Sequence, residues 1–91
     1  MSPSLGSGLS RHIGRGPECE LVLHDSRVSR RHARLAGRDG VLVLTDLGST
    51  NGTMVNGHRV TEVVLGAGDR IELGETSLVV RVVPTEPAAR P

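Results

Sequence analysis

The sequence predicts an all-β fold, a sandwich or a barrel built from many short strands. Short apolar runs recur through the middle of the chain, each closed off by turn-forming residues at intervals of about 8 to 12 positions. Twelve glycines in 91 residues disfavour sustained helix, because each costs about 1 kcal/mol in a helix interior. The pair Asn56-Gly57, between Thr53-Met54-Val55 and His58-Arg59-Val60, is a strong hairpin signal, since a type I′ turn requires positive φ at both central residues.

Taken in order, strands are expected over residues 21–23, 33–35, 41–44, 54–55, 63–65, 70–73 and 77–83. The breakers between them are Gly37-Arg38-Asp39-Gly40, Asn51-Gly52, Asn56-Gly57, Gly66-Ala67-Gly68-Asp69 and Gly74-Glu75. Residues 1–8 are rich in Ser, Gly and Pro without periodicity and read as a disordered start. Residues 84–91 read as a Pro-rich tail or linker, which leaves 9–83 as one domain. No internal repeat is present.

Composition narrows the function. Phe, Tyr and Trp are absent, so the core has to be assembled from Val, Leu, Ile, Ala and two Met. A domain of this size buries only about 60 to 65% of the surface its unfolded chain exposes, so modest stability is expected. Eleven basic residues against ten acidic ones give a net charge of +1, too little for a global field that gathers nucleic acid or a membrane surface. All eleven are Arg, and Arg27, Arg30, Arg31 and Arg34 cluster. Arg suits bidentate contact with phosphate or carboxylate, although a GC-rich coding bias explains Arg in place of Lys equally well. A single Cys19 excludes an intramolecular disulfide and a Cys-based zinc site. No metal and no cofactor are expected. The first residues lack a signal-peptide pattern and no apolar run approaches the roughly 18 residues of a membrane span, so the expected setting is cytoplasmic.

Three loop segments carry the candidate chemistry: Gly14-Arg15, Ser29-Arg30-Arg31-His32 and Gly48-Ser49-Thr50-Asn51-Gly52-Thr53. Each offers short polar or guanidinium donors. Together they suit a phosphate, which carries about −1.5 to −2 charges and needs an Arg fork, a hydroxyl, a second basic group and nearby amides.

The order and spacing of Ile13-Gly14-Arg15, Val28-Ser29-Arg30-Arg31-His32-Ala33 and Asp46-Leu47-Gly48 through Asn56-Gly57 closely resembles the signature of the forkhead-associated (FHA) domain. The resemblance runs from about Leu9 to Val83. It implies a β-sandwich of two mainly antiparallel sheets (FHA/SMAD-like), whose loops at one end bind a phosphothreonine peptide without catalysis. The partner it implies is a threonine-phosphorylated protein, with neither nucleic acid nor membrane involved. Carried over by position, Arg15 would pair with the phosphate, Ser29 would donate its hydroxyl to it, and Arg30 would be a second phosphate contact. Thr50 would shape the pocket under the phosphothreonine, and Asn51 would hydrogen-bond the ligand main chain. Gly14, His32 and Gly52 match architectural positions, while Asn56 and Gly57 make the hairpin turn. Arg31 and Arg34 are expected on a solvated face.

The same residues admit three rival readings. Ser29, His32 and Asp46 are imaginable as a catalytic triad, but no nucleophile elbow surrounds the serine. A nucleic-acid module would want aromatic residues for stacking, and there are none. An FHA-like scaffold that binds its partner without phosphate is the remaining alternative. The chain departs from the family pattern at its start, where at least one N-terminal strand is expected to be missing or shortened. Residues 9–13 are the candidate replacement. If they do not cover the strand at 77–83, its valines form an exposed edge, and self-association by strand pairing is expected.

Overall fold

The computed structural model describes residues 7–81, with side chains from Ser10 onward. Nine strands fill this span: β1 (Ser7–Gly14), β2 (Leu21–Val22), β3 (Ala33–Arg38), β4 (Val41–Asp46), β5 (Thr53–Val55), β6 (His58–Val60), β7 (Glu62–Leu65), β8 (Arg70–Leu73) and β9 (Thr76–Val79). They form a five-stranded sheet in the order β2-β1-β3-β4-β7 and a four-stranded sheet in the order β6-β5-β8-β9. Every pairing is antiparallel except the short parallel contact of β1 with β2. No helix occurs among the described residues, so the all-β expectation holds, in its sandwich form.

Paired residues share a sheet face, so the register identifies the core. Leu35, Leu44 and Val63 line up across β3, β4 and β7, and Val55 and Ile71 across β5 and β8. The buried cluster is Ile13, Val28, Ala33, Leu44, Val55, Leu65, Ile71 and Leu73, built from aliphatic side chains and one alanine. Ile13, Leu44 and Leu73 are fully buried. Each such side chain contributes about 1.5–3 kcal/mol by leaving water.

Several strand boundaries differ from the sequence expectation, for one reason. Strand ends are set by partners across the sheet as much as by apolar runs. β1 begins two residues before Leu9 because Ser7 pairs with Arg38. Gly37 and Arg38 belong to β3, paired with Leu42 and Val41, so the turn there narrows to Asp39 and Gly40, both with positive φ. The hairpin at Asn56 and Gly57 forms as the sequence requires, with φ of 54° and 84°.

Residues 9–13 lie in β1 and do not cover the last strand. β1 lies between β2 and β3 in the five-stranded sheet, while β9 is at the edge of the other sheet among the described residues. β9 ends at Val79, and Val80 then bonds across to Gly68 and Asp69. Val82, Val83 and the proposed 84–91 tail lie outside the described residues, as do residues 1–6 of the proposed disordered start.

The antiparallel order brings the ends of β1, β4 and β8 and the starts of β3, β5 and β9 to one end of the sandwich. All three loop segments singled out above emerge there.

Candidate functional site

The strand end at Gly14 and the loop from Asp25 to His32 are stitched together backbone to backbone. Arg15 N–H donates to Ser29 O at 3.0 Å, Gly16 N–H to Arg30 O at 3.0 Å, and His32 N–H to Ile13 O at 2.9 Å. Gly14 is required by this closeness, since a Cβ there would run into the carbonyl of Arg30. Cys19 is buried in the same seam, with Sγ 3.2 Å from Arg30 O.

Arg15 is exposed, and its Nε–H donates to Val28 O at 2.8 Å. That bond fixes the plane of the guanidinium and leaves its two terminal amino groups without a partner among the described residues. Ser29 Oγ accepts the N–H of Thr50 at 3.1 Å, so the hydroxyl proton remains available to an acceptor in front of the loop. Asn51 is exposed and donates from Nδ2 to Arg27 O at 2.8 Å, with Oδ1 unbonded among the described residues. The Arg30 side chain is exposed. Arg15, Ser29, Arg30, Thr50 and Asn51 thus converge at one end of the sandwich, on loops tied directly to one another.

His32 is fully buried beneath this surface. Its Nδ1 accepts the N–H of Ser29 at 3.0 Å and its Nε2 lies 2.9 Å from Gly52 O. Because Ser29 N–H can only donate and Gly52 O can only accept, the ring carries its proton on Nε2. One imidazole therefore sets the height of both the Ser29 loop and the Asn51-Gly52 loop. Gly52 has φ of 86°, a left-handed conformation that favours glycine, and the movable guanidinium end of Arg59 lies over it, with Nε 2.7 Å from where a Cβ would stand.

The geometry dissolves the imagined triad. His32 meets the amide of Ser29 and not its hydroxyl, and Asp46 bonds neither of them. Asp46 instead organises the Gly48–Thr53 turn. Oδ1 accepts the hydroxyls of Ser49 at 2.6 Å and Thr53 at 2.7 Å, and Oδ2 accepts the amides of Gly48 and Ser49. Partial burial pushes the Asp46 carboxyl up, but these hydrogen bonds outweigh it and hold the group below the usual carboxylate range.

Asp25 does similar work across the sandwich, accepting the Thr76 hydroxyl at 2.7 Å and the amides of Glu75 and Arg27. The Thr76 bond is the largest cause of its lowered pKa, followed by those two amides. Sequence reasoning missed both hubs as supports. Asp46 followed by Gly48-Ser49 was a readable signal for an Asx-type turn. Nothing local marked Asp25, whose main partner lies 51 positions away.

Beside Asn51 runs a groove of about 450 Å³ over the outer face of the four-stranded sheet, with Met54, Glu72, Glu75 and Thr76 among its lining residues. Arg27 forms part of its wall and pairs with Glu75 at 3.3 Å. Arg31 is exposed and pairs with Glu18 at 3.6 Å. Arg34 is only half-exposed, with its Nε shielded from solvent, and so departs from the solvated face expected for it. Among the described residues no group of three or more His, Cys, Asp and Glu side chains is placed to hold a metal ion.

A family model described as the FHA domain matches residues 11–74. The chain belongs to the FHA family. This FHA domain is 45% identical over 73 residues to FHA domain-containing protein FhaA of Mycobacterium tuberculosis, covering 80% of the chain and 14% of FhaA. It is 44% identical over 66 residues to the oxoglutarate dehydrogenase inhibitor of Corynebacterium diphtheriae, covering 72% of the chain and 46% of that protein. The chain therefore spans less than half the length of either relative. Its structure superposes on the FhaA FHA domain complexed with the intracellular domain of Rv3910 with a TM-score of 0.78 at 42% identity, covering 89% of this chain and 86% of that one. It also superposes on the N-terminal FHA domain of Saccharomyces cerevisiae Rad53p, solved in complex with a phosphothreonine peptide. There the TM-score is 0.74 at 36% identity, with 82% and 68% of the two chains covered.

Proposed function

We propose that this FHA domain is a non-catalytic interaction module that binds a threonine-phosphorylated segment of a partner protein through the loops at the β1/β3/β5 end of the sandwich. The observation that carries the reading is the three-way junction at Ser29. Its carbonyl is held by Arg15, its hydroxyl oxygen by Thr50 and its amide by His32, so the hydroxyl proton and the Arg15 fork are presented together. Family membership and the phosphothreonine complex of the Rad53p domain support the same reading.

In this reading Arg15 supplies the countercharge through its two terminal amino groups and Ser29 donates its hydroxyl to a phosphate oxygen. Arg30 adds a second cation. Thr50 lines the wall under the phosphothreonine, and the open Oδ1 of Asn51 accepts a main-chain N–H of the ligand. Gly14, His32, Gly52, Asn56 and Gly57 support the frame. The domain proper is 9–83. A cytoplasmic setting belongs to the same proposal, supported by a cysteine without a disulfide partner.

The test is a titration of the 91-residue chain with a phosphothreonine peptide and its unphosphorylated twin. Charge-assisted hydrogen bonds of about 1.5–3 kcal/mol each on a small surface give an affinity on the order of micromolar, lost on dephosphorylation. Arg15→Ala should weaken binding at least about tenfold while stability changes by less than about 1 kcal/mol, since the side chain is exposed. Equal binding of the two peptides would sink the reading in favour of a scaffold indifferent to phosphate.

A further inference from the structure

Arg59 lies outside the motifs that carry the phosphate chemistry, yet the fold places it against them. It sits in β6, paired with Met54 across the Asn56-Gly57 hairpin. Its guanidinium covers Gly52, the residue that follows Asn51: Nε, Cζ and Nη2 lie 2.7, 2.9 and 3.0 Å from where a Cβ of Gly52 would stand. Gly52 has no group to offer it, because its N–H donates to Ser49 Oγ and its carbonyl is bonded to His32.

Two neighbouring arginines are paired with carboxylates, while the terminal amino groups of Arg15 and the Arg30 side chain are the ones assigned above to the phosphate. Arg15 donates to Val28 O, Arg27 faces Glu75 and Arg31 faces Glu18. Arg59 is exposed, and among the described residues it has neither a carboxylate within 4 Å nor a hydrogen-bond acceptor. A guanidinium has five donors in a fixed fork. Here the fork is carried on a strand, and strand-borne groups hold their position better than loop-borne ones.

We propose that Arg59 is a specificity-determining residue that pairs with a carboxylate of the ligand, so that the domain prefers a phosphothreonine flanked by Asp or Glu. The inference rests on the phosphopeptide reading above. Charge pattern supports it. The row that starts at Arg59 continues through Met54 to Glu72, and Glu72 and Glu75 both line the adjacent groove. Arg27, the basic residue of that groove, already faces Glu75, so a ligand carboxylate finds its open countercharge at the lip by Gly52, where Arg59 stands.

The experiment is a set of phosphothreonine peptides in which one Asp is moved through each flanking position on an alanine background, titrated against the wild-type chain and against Arg59→Gln and Arg59→Glu. At one position Asp should raise wild-type affinity about three- to fivefold, the scale of an exposed ion pair. Arg59→Gln should remove that gain without changing the affinity of the all-alanine phosphopeptide more than about twofold, and Arg59→Glu should make Asp at that position unfavourable relative to alanine. Melting curves establish that both variants fold. A gain that survives in Arg59→Gln, a gain removed by Arg27→Gln in its place, or no favoured position in the wild type overturns the proposal. If no phosphopeptide binds the wild type at all, it is the phosphopeptide reading that has failed, and this inference falls with it.

Discussion

Two Asn-Gly pairs stand five positions apart in this chain, one at each end of β5, and they do opposite things. At the far end, the Asn56 amide is fully engaged. Nδ2 donates to Asp69 Oδ1 at 3.0 Å and Oδ1 accepts the N–H of Arg70 at 3.0 Å. Gly57 has open space around it, so only its positive φ calls for glycine. At the site end, Asn51 commits Nδ2 to Arg27 O and keeps Oδ1 unbonded, while Gly52 is buried between His32 and Arg59. At the far end both the nitrogen and the oxygen of the asparagine amide are bonded within the chain. A turn that leaves an acceptor and several arginine donors exposed on a rigid frame is built for something outside the chain.

The largest effect expected from this contrast is at His32, the support that the site end has and the far end lacks. His32→Ala removes a fully buried ring and strands the N–H of Ser29 and the carbonyl of Gly52. A cavity plus unpaired buried groups costs about 3 kcal/mol, so the unfolding midpoint should fall markedly and phosphopeptide affinity should fall with it. Lost binding with an unchanged melting curve would move His32 out of the frame and into contact with the ligand.

The two asparagines give a smaller, sharper test. Asn51→Ala should weaken phosphopeptide binding about tenfold and change stability by less than about 1 kcal/mol, because its one internal bond is exposed. Asn56→Ala should do the reverse, lowering stability by about 1–2 kcal/mol through loss of both amide bonds, with affinity unchanged. Denaturant melts and titrations on both variants measure this crossing. If both mutations affect the same property, the two ends are not specialised as described.

How much of this was legible beforehand depends on the range of each interaction. The hairpin at Asn56-Gly57 was readable because its cause is local: two residues that tolerate positive φ between alternating strands. The candidate site residues were readable as an ordered pattern, since Arg15, Ser29 and Asn51 sit at recognisable spacings. The framework was not. His32 reaches Gly52 across 20 positions, Asn51 reaches Arg27 across 24, and Asp25 reaches Thr76 across 51. Such contacts exist only after the sheets have stacked, and no local pattern announces them. Arg59 was invisible for a related reason. It reads as an ordinary polar residue on a hairpin arm until the register places it over Gly52.

The smallest effect separates the ligand's charge from the protein's. Asp25, Asp46 and Asp69 all have folded-state pKa values below the ordinary one, owing to the hydrogen bonds they accept. A carboxylate depressed in the folded state contributes stability that is present above its unfolded pKa, about 3.9, and lost as pH falls through the lower folded value. These three hubs therefore hold both ends of the sandwich together down to about pH 4. The dianionic phosphate of a phosphothreonine takes up a proton near pH 6 and becomes a monoanion. Cationic partners such as Arg15 depress that pKa in the complex, so affinity is full above about pH 6 and declines as pH falls below it. Between about pH 4 and 6 the contribution of the three aspartates stays intact while binding weakens several-fold. Titrations at pH 7.5, 6 and 5, with melting curves at each, test this directly. A midpoint that drops in step with affinity between pH 6 and 5 would place the loss in the protein and not in the ligand's phosphate.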